Sequence, residues 1–202
     1  IGTKTRLTIP PIIKGVRVTS YESMFRDSEL ALEEVRSNNK NVTDMYSMFY
    51  GCYNITSLDL SKFDVSNVED MGYAFYYCTI LTSLNLTGWN TSKVTSLYST
   101  FYRAENITSV DFLNGLDFSN VTDMRYMFAC CYKLTSVDMS SWGISKVTNM
   151  TNLFFECEEL TTVNLTGIDT SKVVSMECMF QTCTSLTTII GIKSLDLSSC
   201  MY

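Results

Sequence analysis

Apolar residues recur along the chain in a fixed order, within a phrase of about 26 residues that is repeated several times. In each copy they stand at a leading valine and three, seven and ten positions later. The first full copy has Val42, Met45, Phe49 and Cys52 at these positions. Such offsets lie on one face of a helix, so this half of the phrase predicts a short α-helix of about two to three turns.

The second half of the phrase has a different pattern, LxxLxL, which the first copy fills with Ile55, Leu58 and Leu60. Its last three residues alternate between apolar and polar, as expected of a short β-strand with one buried face. A polar turn follows and carries one large apolar residue, Phe63 in this copy. A single helix and strand of this length cannot bury their apolar faces, whereas stacked copies can.

The spacing of the copies predicts the fold and the boundaries of its repeats. The leading residues are Val42, Val68, Val94, Val121, Val147 and Val173, and the interval between them is constant except that the step from Val94 to Val121 is longer by one. A constant period of this size is typical of solenoids. We therefore predict an α/β solenoid of about six repeats over residues 42–190, with a parallel sheet on one face and short helices on the other. Residues 1–41 are interpreted as an N-terminal cap with a degenerate repeat, and residues 191–202 as a truncated C-terminal repeat or cap.

Residues 48–71 carry a specific resemblance. They match nearly verbatim the pattern MFxxCxxLTSLDLSxFDxSNVTDM, which resembles the leucine-rich repeats of BspA-type bacterial and protist surface proteins. The resemblance implies a leucine-rich-repeat solenoid that is extracellular and associated with the cell surface, with its anchor outside this stretch. It also implies a role in attachment or protein binding rather than in catalysis.

Composition narrows the classes of function. The chain has no histidine, which removes the commonest general base and the commonest metal ligand. Its net charge is −6 and it has no basic cluster, which argues against a nucleic-acid partner. No apolar run approaches the roughly 18 residues of a membrane span. We therefore predict no enzyme, no cofactor, no nucleic-acid partner and no membrane insertion within this stretch.

One cysteine column follows the repeat. It consists of Cys52, Cys78, Cys131, Cys157 and Cys183, with Ala104 in the third copy. A position that accepts alanine suits a small buried group, so we interpret the column as buried, reduced thiols. Disulfides within the column and a metal site remain alternatives. Cys130, Cys178 and Cys200 lie off the column and are candidates for reactive or paired thiols.

The first candidate site is the outward face of the predicted helices. Positions five, eight and nine after each leading valine point away from the core on a helical wheel, and they vary most between copies. The candidate partner-binding residues are Tyr50, Tyr73, Tyr76, Tyr77, Tyr102, Arg103 and Tyr126. Tyrosine and arginine carry much of the energy of binding interfaces. The alternative is that the rings are partly buried against the neighbouring repeat.

The second candidate site is the strand face. It would present the row Asp59, Asn85, Asp111, Asp138 and Asn164, one residue per repeat. This row could receive a basic partner or Ca²⁺, or it could be a solvated sheet surface. Ca²⁺ requires several converging carboxylates, and two asparagines among five positions suit it poorly, so no metal site is predicted.

Together these features predict a non-catalytic binding or adhesion module of a microbial cell-surface protein. Its partner would be a protein or glycan on a host or neighbouring cell. The alternative is a rigid spacer that displays another domain.

Overall fold

The chain forms a parallel β-solenoid of about seven coils at a spacing of about 26 residues, seen in a computed structural model that describes residues 5–200. One face of the solenoid carries short strands, and the opposite face carries a series of tight turns, here called the arches. The strands are β1 Thr5–Thr8, β2 Ile12–Ile13, β3 Val16–Arg17, β4 Leu32–Arg36, β5 Ser57–Asp59, β6 Ser83–Asn85, β7 Ser136–Asp138, β8 Thr162–Asn164 and β9 Thr188–Ile190. The predicted solenoid and its period are thus confirmed, whereas the division into caps and repeats at residues 41 and 190 stays a prediction.

The strand face consists of two parallel sheets with the orders β1-β4-β5-β6 and β7-β8-β9, and β2 and β3 pair in a separate antiparallel hairpin. The sheets are interrupted at the third full copy, which is one residue longer than the copies on either side of it. There, Asp111–Leu113 form a 3₁₀ turn. The Leu113 N–H donates to Val110 within this turn, at 2.9 Å, instead of reaching the next coil. The inserted residue therefore breaks the register of the sheet.

A ladder of phenylalanines, one per coil, fills the core. It comprises Phe25, Phe49, Phe75, Phe101, Phe128, Phe154 and Phe180, with successive ring centroids 5.3–5.7 Å apart and nearly parallel rings. The five interior rings are buried, while the two terminal rings are half-buried. Parallel stacking at a fixed spacing holds each coil in register with the next.

The predicted helices are wrong. Among residues 5–200 there is no α-helix, and the only helical segments are the 3₁₀ turns Asp111–Leu113 and Ile192–Ser194. The backbone hydrogen bonds give the reason. Alternate amides close turns within a coil, such as Met48 N–H to Met45 O at 3.1 Å. The amides between them donate to the neighbouring coil, such as Ser47 N–H to Gly72 O at 2.9 Å. A helix would use all of these donors within its own segment.

A left-handed residue at every fourth position shapes the arches. Positions five and nine after the leading valine have positive φ in every coil, for example Tyr73 at 57° and Tyr77 at 59°. One left-handed residue reverses the turn and prevents an α-helix from propagating. Tyrosine and arginine rarely adopt this conformation, so the sequence alone did not indicate it.

Relieving one strained position should stabilise the fold. Thr182 is exposed and β-branched, with φ at 62°. We expect Thr182→Gly to raise the free energy of unfolding by about 1 kcal/mol, because glycine adopts positive φ without steric cost. Gln181→Gly is the matched control, since its neighbouring exposed position does not have positive φ. It should lower stability by about 0.5–1 kcal/mol in the same urea titration. Equal effects of the two glycines would contradict this description of the arch.

The cysteine column lies beside the phenylalanine ladder. Each thiol donates to the carbonyl of a phenylalanine one coil earlier, as in Cys52 Sγ to Phe25 O at 3.0 Å and Cys131 Sγ to Phe101 O at 3.2 Å. Burial raises the pKa of Cys52 to about 12. The thiol form, which can donate this bond, is therefore the form present at neutral pH. All eight cysteines lie in the described part of the chain and are unpaired there.

Candidate functional site

The arches of the second to fifth coils carry a continuous aromatic surface, here called the tyrosine ridge. It consists of Tyr46, Tyr50, Tyr73, Tyr76, Tyr77, Tyr98, Tyr102, Arg103 and Tyr126. Four of them, Tyr73, Tyr77, Arg103 and Tyr126, have positive φ. All of them except Tyr46, which is exposed, are half-buried.

One column of the ridge is a face-to-face stack. Tyr50 and Tyr76 have ring centroids 4.7 Å apart at 16°, and Tyr76 and Tyr102 are 4.8 Å apart at 10°. The three residues hold the same position in successive coils, eight after the leading valine, so the period of the solenoid itself sets the stack. Each ring is therefore restricted by its neighbours before any partner binds.

A second column runs beside the first, with its rings edge to face. Tyr46 and Tyr73 lie 5.2 Å apart, Tyr73 and Tyr98 lie 5.1 Å apart, and Tyr98 and Tyr126 lie 6.1 Å apart. The helical wheel missed Tyr46 and Tyr98, which stand four positions after the leading valine. In the structure, this column takes position four from one coil and position five from the next. A simple search for tyrosines recurring near one point of the period would have found them.

A shallow pocket of about 190 Å³ lies between the two columns. Its lining consists of Tyr73, Tyr76, Tyr98, Ser99, Tyr102 and Tyr126. Burial, which is the larger cause, and the nearby Tyr50 raise the pKa of Tyr76 to about 12. Burial likewise raises the pKa values of Tyr73 and Tyr102. These phenols are therefore neutral at pH 7 and can both donate and accept hydrogen bonds.

Three arginines lie over tyrosine rings of the ridge, and one of them, Arg103, is itself part of the ridge. The guanidinium carbons of Arg26, Arg103 and Arg125 lie over the rings of Tyr50, Tyr77 and Tyr98, at 4.1, 5.1 and 4.8 Å from the centroids. Arg103 also donates to the hydroxyl of Tyr77 at 3.0 Å and to that of Tyr132 at 3.3 Å. Arg103 and Arg125 each have a carboxylate nearby, Glu105 at 3.9 Å and Asp123 at 2.6 Å. Positive charge at the ridge is thus largely compensated, and its surface is mainly aromatic.

The strand-face row is engaged in local turns. Asp59, Asn85, Asp138 and Asn164 each accept a hydrogen bond from the backbone N–H two residues later, at 2.9, 3.2, 2.9 and 3.0 Å. The backbone bond lowers the pKa of Asp59, and the Ser140 hydroxyl together with the Ser140 N–H lowers the pKa of Asp138. Asp111 lies in the 3₁₀ turn rather than on a strand, so the predicted row is interrupted.

Two searches of the described residues bear on other functions. No helix among residues 5–200 is long and apolar enough to cross a membrane. In the same range, no three or more Cys, Asp or Glu side chains are grouped so that they could hold a metal ion.

Comparison with known proteins gives one family and several similar structures. Residues 19–112 and 108–201 both match the family described as "Mycoplasma protein of unknown function, DUF285". No curated protein matches the chain significantly. The leucine-rich-repeat protein TpLRR of T. pallidum is 17% identical, with a TM-score of 0.53, and the match covers 95% of this chain and 71% of that one.

Two further solved structures are similar at lower TM-scores. A leucine-rich-repeat protein from Bacteroides ovatus is 19% identical over 94% of this chain and 46% of its own, with a TM-score of 0.48. A leucine-rich cell surface protein from Faecalibacterium prausnitzii is 15% identical over 94% of this chain and 88% of its own, with a TM-score of 0.33. The resemblance to BspA-like leucine-rich-repeat proteins is confirmed at the level of the fold.

Proposed function

The chain belongs to the DUF285 family, and we propose that it is a non-catalytic protein-binding module that acts in adhesion at the surface of a microbial cell. The tyrosine ridge is the observation that carries this proposal. Its partner is a protein or glycan on a host or neighbouring cell. In this proposal the module acts outside the cell.

Pre-ordering of the tyrosine rings supports the proposal. Fixing a flexible side chain at an interface costs about 0.5–1.5 kcal/mol of binding free energy. Tyr76 is already held between Tyr50 and Tyr102 at 4.7 and 4.8 Å. Stacked tyrosines combine a large apolar surface with a hydroxyl that can donate or accept, which is the chemistry found at many paratopes.

The pattern of variation between coils also supports the ridge. The phenylalanine column has the same residue in all seven coils, because stacking requires it. The outward arch positions differ, and aromatic residues are concentrated there in the second to fifth coils. A repeat scaffold acquires a specific partner by changing exposed columns on a constant frame.

A rigid spacer is the second candidate. The unbroken phenylalanine ladder, with rings 5.3–5.7 Å apart through seven coils, supports it, because such a stack resists bending. A spacer requires only that stack and no partner for the ridge.

Screening the immobilised chain against protein and glycan arrays distinguishes the two functions. A binding module should give saturable binding to a defined partner, and a spacer should give none. Salt then separates the two faces. Binding through the largely uncharged ridge should change little between about 0.05 and 0.5 M salt, whereas binding of a basic partner to the strand-face carboxylates should weaken steeply. Absence of saturable binding would overturn the proposal.

A further inference from the structure

The pocket between the two tyrosine columns is lined by aromatic rings that meet at steep angles. Five of its six lining residues are tyrosines, and the sixth is the buried Ser99. Neighbouring rings around the pocket are inclined to one another by 57–74° in four pairs: Tyr73 with Tyr76, Tyr73 with Tyr98, Tyr98 with Tyr126, and Tyr102 with Tyr126. Rings at such angles contact a bound group from several sides, whereas parallel rings would form one flat platform.

The size and the neutrality of the pocket limit what it can bind. Its volume is about 190 Å³. This is below the roughly 300 Å³ at which pockets for whole drug-sized ligands begin, so the pocket suits one small group of a larger partner. None of its lining residues carries a charge.

The tyrosine rings of the ridge already hold cations. The face of an aromatic ring is negative and attracts a cation, and three guanidinium groups lie over ridge tyrosines. A guanidinium is planar and stacks on one ring, as Arg26 does on Tyr50. A compact cation that contacts several inclined rings at once suits the pocket better. A trimethylammonium group has this shape and has no N–H that needs an acceptor, whereas a primary ammonium has three donors and is strongly hydrated.

Arg125 supplies a second, opposite preference beside the pocket. Its guanidinium carbon lies 4.8 Å from the centroid of Tyr98, and its carbonyl accepts from the N–H of Ser99 at 2.9 Å. Its Nε and Nη2 donate to the carboxylate of Asp123 at 2.6–3.1 Å, while its Nη1 has no hydrogen-bond partner within residues 5–200. An unused guanidinium N–H suits a phosphate oxygen. A ligand with a phosphate next to its cation therefore matches this site better than a bare cation does.

We propose that the pocket binds a phosphocholine group, with the trimethylammonium among the five tyrosines and the phosphate at Nη1 of Arg125. This inference rests on the proposed function, because it names the chemical group through which the ridge recognises its partner. The same group can be presented by a lipid headgroup or away from a membrane, and the two sources share this chemistry.

Three small ligands on the wild-type chain test the assignment. In NMR titrations, phosphocholine should bind saturably in the millimolar range. Choline, which lacks the phosphate, should bind about two- to fivefold more weakly, as expected for the loss of one exposed ion pair. Phosphoethanolamine, which lacks the three methyl groups, should bind at least about fivefold more weakly than phosphocholine. Equal affinities for phosphocholine and phosphoethanolamine would overturn the proposal.

Substitution of Arg125 separates the two halves of the ligand. Arg125→Gln should weaken phosphocholine about two- to fivefold and leave choline unchanged. Arg26→Gln is the matched control, since Arg26 also lies over a tyrosine but its ring, that of Tyr50, does not line the pocket. It should change neither affinity. If Arg125→Gln weakens choline as much as phosphocholine, Arg125 does not contact the phosphate.

Substitution of Tyr102 tests the aromatic half. Tyr102→Leu should weaken both phosphocholine and choline about two- to fivefold, and Tyr102→Phe, which keeps the ring, should retain both affinities. Loss of affinity in the phenylalanine variant alone would contradict a cation held by ring faces. Circular dichroism checks folding, and Tyr98→Leu replaces a Tyr102→Leu chain that is unfolded. The comparison of the three ligands on the wild type depends on no variant.

Two further measurements identify the source of the group and separate this inference from the proposed function. Capture of the chain by phosphatidylcholine vesicles would identify a lipid headgroup, and capture only by phosphocholine coupled to albumin would identify a group presented away from a membrane. If phosphocholine does not bind but an array partner binds the ridge, the pocket assignment is wrong and the proposed function stands. If phosphocholine binds and the arrays give no saturable partner, the proposed function is wrong and the pocket assignment stands.

Discussion

Replacing Phe128 with alanine should lower the free energy of unfolding by about 3–5 kcal/mol, which is comparable to a large part of the stability of a domain. Phe128 is fully buried, and its ring lies 5.7 Å from both Phe101 and Phe154 and 6.1 Å from Trp142. Its removal leaves a cavity that rigid neighbouring coils cannot close. The substitution also separates the N-terminal part of the phenylalanine ladder from its C-terminal part, so unfolding should become less cooperative.

Phe180→Ala is the matched control for this prediction. Within residues 5–200, Phe180 has the same column position but one stacked neighbour, Phe154 at 5.6 Å, and is half-buried. We expect it to lose about 1–2 kcal/mol, since less apolar area returns to water. Urea unfolding followed by circular dichroism measures both losses. Equal losses would show that position in the stack does not determine stability.

Replacing all three of Tyr76, Tyr77 and Tyr102 by serine should weaken binding of the partner about 100-fold or more. Each of the three rings contacts the other two, with centroids 4.7–6.0 Å apart. Central aromatic residues of an interface commonly contribute about 2 kcal/mol or more when truncated, and their effects are not additive. A loss of about 2.7 kcal/mol or more, which corresponds to about 100-fold, is therefore a conservative expectation.

A second triple variant, on the strand face, controls for the effect of three substitutions away from the ridge. Ser57, Ser83 and Ser136 are exposed on the strand face, and their replacement by alanine should leave both stability and affinity unchanged. Unfolding of the tyrosine variant would show that the rings are structural, and the single substitutions Tyr76→Ser and Tyr102→Ser would then measure affinity in a folded chain. Retained affinity in a folded tyrosine variant would exclude the ridge as the binding site.

The stacked core of this fold could be predicted from the sequence, because the residues that pack between coils recur at the same points of each repeat. Phe49 and Phe75 recur at one point of the period, and so do Cys52 and Cys78, and all four are buried as expected of a solenoid core. The one copy that is longer than the others contains the break in the sheet, so the period carries a signal of this interruption, although the interruption was not among the predictions.

The arches could not be predicted in the same way. Offsets of three, seven and ten residues fit a helix, but they fit equally a run of four-residue turns. The choice depends on hydrogen bonds between coils, such as Phe49 N–H to Ala74 O at 2.8 Å, which no single copy of the phrase encodes. The helical wheel still placed Tyr76 and Tyr77 outward, because both backbones turn at the same four-residue interval. It missed Tyr98, whose position depends on the actual path of the arch.

Hydroxyl-radical footprinting of the chain, with and without its captured partner, tests most directly whether the tyrosine ridge binds. We expect strong protection of Tyr50, Tyr76 and Tyr102 in the complex. Tyr53, which is 50% exposed and lies outside the ridge, should react equally in both states. Protection of Trp89 and Phe112 near the strand face, with the ridge tyrosines unchanged, would contradict the proposal.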